Sequence, residues 1–521
     1  MAQSHTVLTL LHQRLEAARQ YDESVKQYMA AGEPVHIRRT GKIISSAYEH
    51  FRNATEYAES HLALQRAIRR FYKRTLFIVK RKPEHIGQEL LAELILAGYI
   101  PDGSYGTQAA GALSQLATEY IATYEQLRQA HVPYKQARGW VLAILSVRTR
   151  DLLKPHTYDL ALVSFVYDYF LQHLPKARII RSPEDEGLYE DALYIAVHQM
   201  LLKSDPDVIR TDMLQAQNQT AADINRYRAW NRHVEELYTA GLTLRLKRIV
   251  QKNGAPFHIL RALAASNDAL PDILPHRDQL LQAFNHQLSL EYRSTARRLN
   301  SGILKSIIFL FLTKVTIGIA VEVPFDHAVY GHVIIMPLAI NLLFPPLYMA
   351  SIRLGLSMPS TQSAQATVDF MDSLLYSGQQ PPPALPKHMT PYPFFARVLY
   401  GLLALIPFAI TILLLQRLHF NPLQMLIFFI FFSTASFLGF HLSNMIRDLT
   451  ITAADTRLFA IFRDLFYLPF IMLGQWLTSK YSKVNIVGEF LDLVIELPLK
   501  TVISMIRQSV RFLNEKHQEL Y

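Results

Sequence analysis

The residues most able to do chemistry in this sequence are polar side chains within two long apolar runs. Lys314 and Glu322 lie in the first run, 303–325, and Asn341 lies near the centre of the second, 333–354. An ionisable side chain at the depth of a bilayer is costly, and such residues commonly mark ion or proton pathways. Lys314 and Glu322 are eight residues apart, which places them on roughly one stripe of a helix. These three residues form a candidate intramembrane polar site.

The elements that must hold these residues are two membrane-spanning helices joined by a short acidic turn. The first run can cross a hydrocarbon core of about 30 Å at about 1.5 Å per residue. Its apolar residues outweigh a cost of roughly 3 kcal/mol for the central lysine. The second run contains Pro337, Pro345 and Pro346, each of which removes a backbone hydrogen bond. A structural alternative is that Lys314 snorkels, or donates to carbonyl groups that these prolines free.

Composition bounds the class of protein. The chain has 521 residues and a net charge of +10, and its apolar residues are concentrated after residue 302. This charge fits an anionic membrane surface at least as well as nucleic acid. There is no cysteine, which excludes disulfides, thiolate metal sites and cysteine nucleophiles. The first 20 residues do not resemble a secretory signal, so we expect the N-terminal part to stay on the side of synthesis.

The N-terminal segment, 1–82, predicts two or three helices with a basic face. Leu64, Ile68, Phe71 and Ile78 line the apolar face of the last one. A basic amphipathic helix suggests binding to anionic lipid headgroups, and a solvated helix face is the alternative. No nucleic acid is expected, because no recognised motif accompanies the charge. The candidate anionic-surface residues are Arg66, Arg69, Arg70, Lys73, Arg74, Lys80, Arg81 and Lys82.

The next segment, 83–300, predicts a soluble helical domain. Ser182-Pro183-Glu184-Asp185 is a typical helix start, with a capping serine, a first-turn proline and acids at the positive end of the helix dipole. Glu186, Glu190, Tyr194 and His198 share one face of that helix, but such spacing is common in ordinary helices, so we expect no metal there. Other helices are predicted at 84–97, 107–129, 134–152 and 157–174.

A second hairpin is predicted at 398–415 and 423–442, after a polar helix capped by Ser360 and a proline-rich spacer. Small residues in its second helix, including Ala435 and Gly439, predict close packing on another span, with a dimer contact as the alternative. The apolar stretch 465–478 is short for a span, which favours a re-entrant or interfacial segment. The C-terminal helix, 485–514, is amphipathic.

The predicted fold class is therefore all-α. An N-terminal helical cytoplasmic domain is followed by a polytopic membrane domain of two hairpins, which makes four spans, and by a C-terminal amphipathic helix. Lysine and arginine residues flank the outer ends of both hairpins, so the positive-inside rule places both termini in the cytoplasm. The predicted segments are 1–82, 83–300, the first hairpin 301–355, a helix and linker 356–396, the second hairpin 397–447, and 448–521.

Two functions from different classes follow. The first is a membrane-anchored helical scaffold or interaction protein, supported by the absence of Walker, Rossmann, zincin and hydrolase motifs. The second is a small-solute or ion transporter or channel that uses Lys314, Glu322 and Asn341. A lipid enzyme using Asp326, His327 and His332 is a weaker third. We expect no enzyme activity or cofactor. We expect a bilayer, anionic lipid or a cytoplasmic protein as partner, possible homo-oligomers, and a bacterial inner membrane.

Overall fold

The chain is described from a computed structural model that covers residues 2–37, 60–216, 223–267, 269–356, 358–377, 381–385, 394–447, 449 and 458–483. Every element in these ranges is helical, apart from an isolated bridge between Pro34 and Gly106. The predicted all-α class is thus confirmed for the described part of the chain, and the predicted C-terminal helix, 485–514, lies outside it. The described chain divides into an N-terminal unit, residues 6–250, and a C-terminal unit, residues 251–483.

The N-terminal unit is a bundle of α-helices with one π-helical and one 3₁₀ turn. Its helices are α1 Ala2–Ala30, α2 Ser60–Tyr72, a π-helix Lys73–Ile78, a 3₁₀ turn Pro83–His85, α3 Ile86–Ala97, α4 Thr107–Gln129, α5 Tyr134–Leu153, α6 Thr157–His173, α7 Lys176–Ile179, α8 Pro183–Leu202, α9 Pro206–Ala216, α10 Ile224–Thr239 and α11 Gly241–Lys252.

Local sequence explains where several of these helices begin. Ser182 accepts a hydrogen bond from the Asp185 N–H at 3.3 Å and caps α8, as its motif predicts. Asp205 caps α9 in the same way through the Val208 N–H at 3.1 Å. Around α5, large side chains such as Trp140 and Tyr72 are fully buried and form the main core of the unit. Helix α4 has the bounds that the sequence predicts.

The C-terminal unit contains the apolar helices. They are α12 Ala255–Ser266, α13 Leu270–Ile273, α14 Arg277–Ile317, a π-helix Gly318–Glu322, α15 Val323–Tyr330, α16 Ile335–Gly355, α17 Thr361–Leu375, α18 Phe394–Leu403, α19 Leu405–Arg417, α20 Pro422–Arg447 and α21 Leu458–Lys483. Helix α14 runs through the predicted segment boundary at 300/301, so the first apolar run continues a helix that begins in polar sequence.

Three described helical stretches are long and apolar enough to cross a membrane: Arg277–Tyr330, Ile335–Arg353 and Pro422–Ile446. In each of the first two, only 22% of the apolar window is buried inside the protein. Large side chains such as Leu312 and Ile319 therefore point outwards at 59% and 67% exposure. An apolar surface of this extent needs lipid or protein to cover it. The prediction of a membrane protein is confirmed at this level.

The predicted third span, 398–415, is not one helix. Helices α18 and α19 have 10 and 13 residues and are separated at Ala404. Pro407 lies three residues after the break, and a proline has no N–H to bond the Leu403 carbonyl, so it is accommodated in the first turn of a new helix. Neither piece reaches the roughly 20 residues that a span needs. The apolar run was predicted correctly, but its continuity was not.

The last described helix, α21, packs closely on α20. The stretch 465–478, expected to be re-entrant or interfacial, lies within this 26-residue helix. A methyl group at Gly474 would collide with the backbone carbonyl of Ser433, so the two backbones approach closely there. On another side of α20, Gly439 meets Ile352 of α16. The small residues of α20 therefore pack within the chain, the first of the two predicted alternatives.

The polar helix and part of the spacer also follow the sequence. Ser360 accepts a hydrogen bond from the Ser363 N–H at 3.3 Å and caps α17. Residues 381–385 of the spacer are non-helical, and the Ala384 N–H donates to Asn253 at 2.7 Å. The rest of the predicted spacer, 378–380 and 386–393, lies outside the described residues.

Candidate functional site

The site begins where α14 changes its winding. The chain passes from α14 through the π-helical turn Gly318–Glu322 into α15 without ending the helix. Pro324 supplies the reason, because it cannot donate a hydrogen bond to the turn before it, and a wider turn absorbs the mismatch. Single π-helical turns often occur at functional sites. This one orients Glu322 toward the interior of the C-terminal unit.

The three polar residues predicted from the sequence meet at this turn. The Lys314 ammonium donates to Glu322 Oε1 at 2.5 Å, and the Asn341 amide donates to Glu322 Oε2 at 3.2 Å. Their exposed fractions are 1%, 0% and 0%, respectively. The Lys314 nitrogen also lies 4.9 Å from the ring centroid of Phe431, within the range of a cation–π interaction. Lys314 therefore neither snorkels nor depends on carbonyl groups freed by prolines.

A second buried carboxylate lies nearby and was not included in the predicted site. Asp326 accepts hydrogen bonds from Asn421 at 2.7 Å, from Gln424 at 2.9 Å and from the Ile334 N–H at 3.3 Å. All three donors are N–H groups, and each oxygen of the Asp326 carboxylate accepts at least one hydrogen bond. Asp326 is fully buried, while His327 and His332 are exposed. The three residues of the weakest functional alternative therefore do not form one accessible site.

Asn421 and Gln424 are held in place by a capping box at the start of α20. The Gln424 N–H donates to Asn421 Oδ1 at 2.8 Å, and the Asn421 N–H donates to Gln424 Oε1 at 3.2 Å. Pro422 occupies the first helical position between them. The sequence Asn-Pro-Leu-Gln at 421–424 is the signal for a capping box. It was missed because residues 416–422 were expected to form the turn between the two helices of the second hairpin.

One hydrogen bond joins the two clusters into a single buried network. The Asn341 amide donates to the backbone carbonyl of Gln424 at 3.2 Å. The polar network, as we call it, consists of Lys314, Glu322, Asp326, Asn341, Asn421 and Gln424. It connects the helix through α14 and α15 with α16 and α20, the three stretches of membrane-spanning length. It contains two carboxylates and one ammonium, and the buried Asn341 Oδ1 has no hydrogen-bond partner among the residues that the structure describes.

A cavity of about 220 Å³ lies beside Lys314. It is formed between α14, the π-helical turn and α16. Its other lining residues are apolar or glycine: Val315, Gly318, Ile319, Val323, Leu338 and Leu342. A cavity with this lining does not stabilise a polar solute, because it offers too few hydrogen bonds to replace those of water.

The N-terminal unit contains a separate, partly buried charged cluster that the sequence did not suggest. His156 lies between Asp151, at 3.1 Å from its Nδ1, and Asp212, at 3.6 Å from its Nε2. His198 donates to Asp212 at 2.9 Å. Arg150 donates to Asp151 at 2.5 Å and lies 3.3 Å from both ring nitrogens of His156. Burial lowers the pKa of His156, but the two carboxylates outweigh it and raise that pKa to about 10.

Among the described residues, Asp151, His156 and Asp212 are the group that could hold a metal ion, since their ligand atoms lie within 4.8 Å of one another. Their charges favour a proton instead. Two carboxylates are balanced by the guanidinium of Arg150 and an imidazolium at His156, whereas a divalent ion with neutral histidine leaves an excess positive charge. The helix face noted in the sequence analysis does not form this cluster. Glu186 and Glu190 of that face are exposed, and only His198 belongs to the cluster.

The predicted anionic-surface residues divide into two groups. Arg69 pairs with Asp207, Arg74 with Glu93 and Arg81 with Glu89, so part of the positive charge is compensated within the protein. Lys73, Lys80 and Lys82 are exposed, and Arg66 and Arg70 are half-buried. Of the predicted apolar face, Ile68 and Phe71 are buried, but Ile78 is 55% exposed. Lipid binding by this surface stays a prediction.

Comparison of the chain with models of protein families, with characterised proteins and with solved structures gives no significant match. We therefore infer function from the geometry of the polar network, the cavity beside it and the surfaces of the two units.

Proposed function

We propose that the protein is a membrane-anchored helical scaffold. In this proposal the helices of the N-terminal unit bind a protein partner, and the apolar helices of the C-terminal unit hold them at a bilayer. The observation that carries the proposal is the closure of the polar network: Lys314, Glu322 and Asp326 all have partners within the chain. One buried ion pair and the amide hydrogen bonds around it fix which helices pack together and in which register.

The cavity beside Lys314 supports the same interpretation. Its lining is apolar apart from the lysine itself, and that lysine already donates to Glu322. A pathway for a polar solute or ion requires polar groups or water along its length. Among the described residues, this cavity provides no such row of groups.

For the topology we propose four membrane crossings with both termini in the cytoplasm, in a bacterial inner membrane. Arg293, Arg297 and Arg298 precede the first apolar run and Arg353 ends the second, which is the charge distribution of cytoplasmic flanks. The fourth crossing has two candidates, the broken pair α18 and α19 or the continuous helix α21.

Transport of a proton or small cation is the second candidate function. Two observations favour it: the polar network has one more carboxylate than ammonium, and within the described ranges of the chain the buried Asn341 Oδ1 has no hydrogen-bond partner. A carboxylate that lacks a counter-charge within the bilayer is a typical place for a transported cation. The π-helical turn at Glu322 adds an irregular backbone at the same site.

The topology is tested by single cysteines, since the chain has none of its own. We would label Ser104, Ala328, Ser377, His419, Ser479 and His517 one at a time, as cysteines, in intact cells. His419 is exposed and therefore serves as the probe of the turn between α19 and α20. External labelling at 328 and 419 alone supports the proposed topology with α18 and α19 as the fourth crossing, whereas external labelling at 328 alone is expected if α21 is the fourth crossing. External labelling at 104 contradicts the proposed topology, and so does external labelling at 479, because it requires an odd number of crossings.

The function is tested in two assays on the full chain. Photo-crosslinkers at exposed positions of the N-terminal unit should trap a defined partner, and the Lys314→Met/Glu322→Gln variant should trap it equally well. Proteoliposomes carrying an internal pH dye should show no more proton flux than empty vesicles. If the wild-type protein shows proton flux and the double variant does not, the transporter proposal replaces the scaffold proposal. If crosslinkers placed on each exposed face of the N-terminal unit trap no partner, that result also contradicts the scaffold proposal.

A further inference from the structure

A short basic loop lies at the end of the π-helix Lys73–Ile78 in the N-terminal unit and includes the last residue of that helix. The basic loop consists of residues 78–82, and its first two side chains, Ile78 and Val79, are 55% and 52% exposed. Backbone hydrogen bonds fix its shape, from Val79 to Arg74 and from Arg81 to Thr75, each at 2.9 Å. Two adjacent large apolar side chains are thus held toward solvent by an ordered turn, where a lipid or protein surface can cover them.

Positive charge follows these apolar side chains without interruption. Lys80, Arg81 and Lys82 are all exposed, and Lys80 holds a left-handed backbone conformation with φ 57°. Arg81 pairs with Glu89 at 2.5 Å, but both side chains are exposed, at 53% and 40%. Exposed ion pairs contribute little and exchange partners readily. All three cations are therefore accessible to an anionic surface.

An aromatic row connects the basic loop with a second amphipathic position. Phe77 packs edge-on against Tyr124 at 5.0 Å between ring centroids, and Tyr124 packs against Tyr134 at 6.4 Å. Tyr134 is 43% exposed, and the guanidinium of Arg138 lies 4.9 Å from its ring centroid. Tyrosine beside arginine and lysine is typical of the headgroup level of membranes, where an apolar ring and a polar end are both accommodated.

We propose that the basic loop docks into the headgroup layer of an anionic bilayer. Ile78 and Val79 enter the interface, and Lys80, Arg81 and Lys82 bind lipid phosphates and carboxylates. Nucleic acid or an acidic protein would satisfy the cations alone, whereas the exposed aliphatic pair favours lipid. A bilayer is also present for every copy of the chain, because the C-terminal unit carries stretches of membrane-spanning length. Of the predicted anionic-surface residues, this proposal keeps Lys80, Arg81 and Lys82, to which the exposed pair Ile78 and Val79 is added. Arg69 and Arg74 are not part of it, because Asp207 and Glu93 engage them.

The proposal is tested with an environment-sensitive fluorophore on the full-length protein. A cysteine replaces Val79, is labelled, and the protein is reconstituted into vesicles of phosphatidylcholine with or without phosphatidylserine. We expect blue-shifted emission, and quenching by nitroxide-labelled lipid, in the anionic vesicles. The matched control carries the label at exposed Ser104, which should report water in both. Neutralising Lys80, Arg81 and Lys82 to glutamine should lower the ratio of docked to undocked label about fivefold for each cation removed.

Several outcomes overturn the proposal. Equal emission in neutral and anionic vesicles contradicts binding of the cations to anionic lipid. Absence of nitroxide quenching contradicts insertion of the apolar side chains into the bilayer. If RNA added to neutral proteoliposomes shifts the label as anionic lipid does, the surface is a nucleic-acid site. If the triple variant does not fold, high salt applied to the labelled protein replaces it, and an unchanged emission in salt contradicts docking. None of these outcomes changes the scaffold proposal, which requires no contact between this loop and lipid.

Discussion

Lys314 and Glu322 form a 2.5 Å ion pair although eight residues separate them in one continuous helix. Eight residues of an ideal α-helix rise about 12 Å, which is long for a lysine and a glutamate to span directly. The π-helical turn Gly318–Glu322 changes the phase of the helix between them, so the two side chains point to the same interior face. The irregular turn and the ion pair are therefore one feature of the structure.

The first prediction concerns the loss of only one member of this pair. Lys314→Met leaves Glu322 buried without its counter-charge, and breaking a buried pair in this way costs about 3–5 kcal/mol. The double variant Lys314→Met/Glu322→Gln removes both charges and should recover most of that loss. The measurement is the midpoint of thermal unfolding in detergent, followed by size-exclusion chromatography.

The matched control is Lys305→Met, on the same helix but exposed. It should leave the midpoint unchanged. A single Lys314→Met variant that unfolds at the wild-type temperature would show that the ion pair does not form. A double variant as unstable as the single one would show that the amide network does not close without the charges.

The second prediction concerns Asp326, which accepts three N–H donors. Asp326→Asn replaces one accepting oxygen by an NH₂ group that faces a donor, so at least one buried amide loses its partner. Such a loss costs about 1–3 kcal/mol. The exposed Asp369→Asn is the control, because its carboxylate accepts from Gln365 at the surface. Equal unfolding midpoints for both variants would contradict the buried arrangement.

The sequence could predict what depends on local pattern. The caps at Ser182 and Ser360, the apolar runs, and the grouping of Lys314 with Glu322 and Asn341 all follow from spacing and residue type. The break at Ala404 could also have been anticipated, because Pro407 lies within the run.

Contacts between distant segments were beyond the same reasoning. Asp326 binds residues 95 and 98 positions later in the chain, and nothing in either local sequence specifies the other. His198 likewise lay on a noted helical face, but its partner, Asp212, belongs to the next helix. The buried charges could be identified one by one, whereas their partners depend on tertiary packing.

The third prediction concerns the contact between α20 and α21. Gly474→Ala adds a methyl group against the backbone carbonyl of Ser433, which cannot move as a flexible side chain can. Overpacking of this kind costs about 1–3 kcal/mol. Gly401→Ala is the control, because no neighbouring atom lies within 4 Å of the added carbon. We expect a lower unfolding midpoint for the first variant only, and equal midpoints would show that α21 does not pack on α20 at this point.

The fourth prediction is a pH dependence that arises in the N-terminal unit. His156 has a pKa of about 10 in the folded protein, above its ordinary value of 6.5, because Asp151 and Asp212 outweigh the effect of burial. The folded state therefore holds a proton that the unfolded state releases at lower pH. The stabilisation is fully present below pH 6.5 and is lost as the pH rises through about 10.

The measurement is the unfolding midpoint in detergent between neutral pH and pH 10 for wild type, His156→Gln and the exposed control His286→Gln. Wild type and the control should lose stability in parallel, because both retain His156. His156→Gln should start lower and fall less steeply, so the difference between the curves isolates this one proton from other groups that titrate at high pH. If added Zn²⁺ raises the wild-type midpoint and a chelator reverses it, the cluster holds a metal. The protonated arrangement would then be wrong, because the metal would take the place of the proton between the two carboxylates.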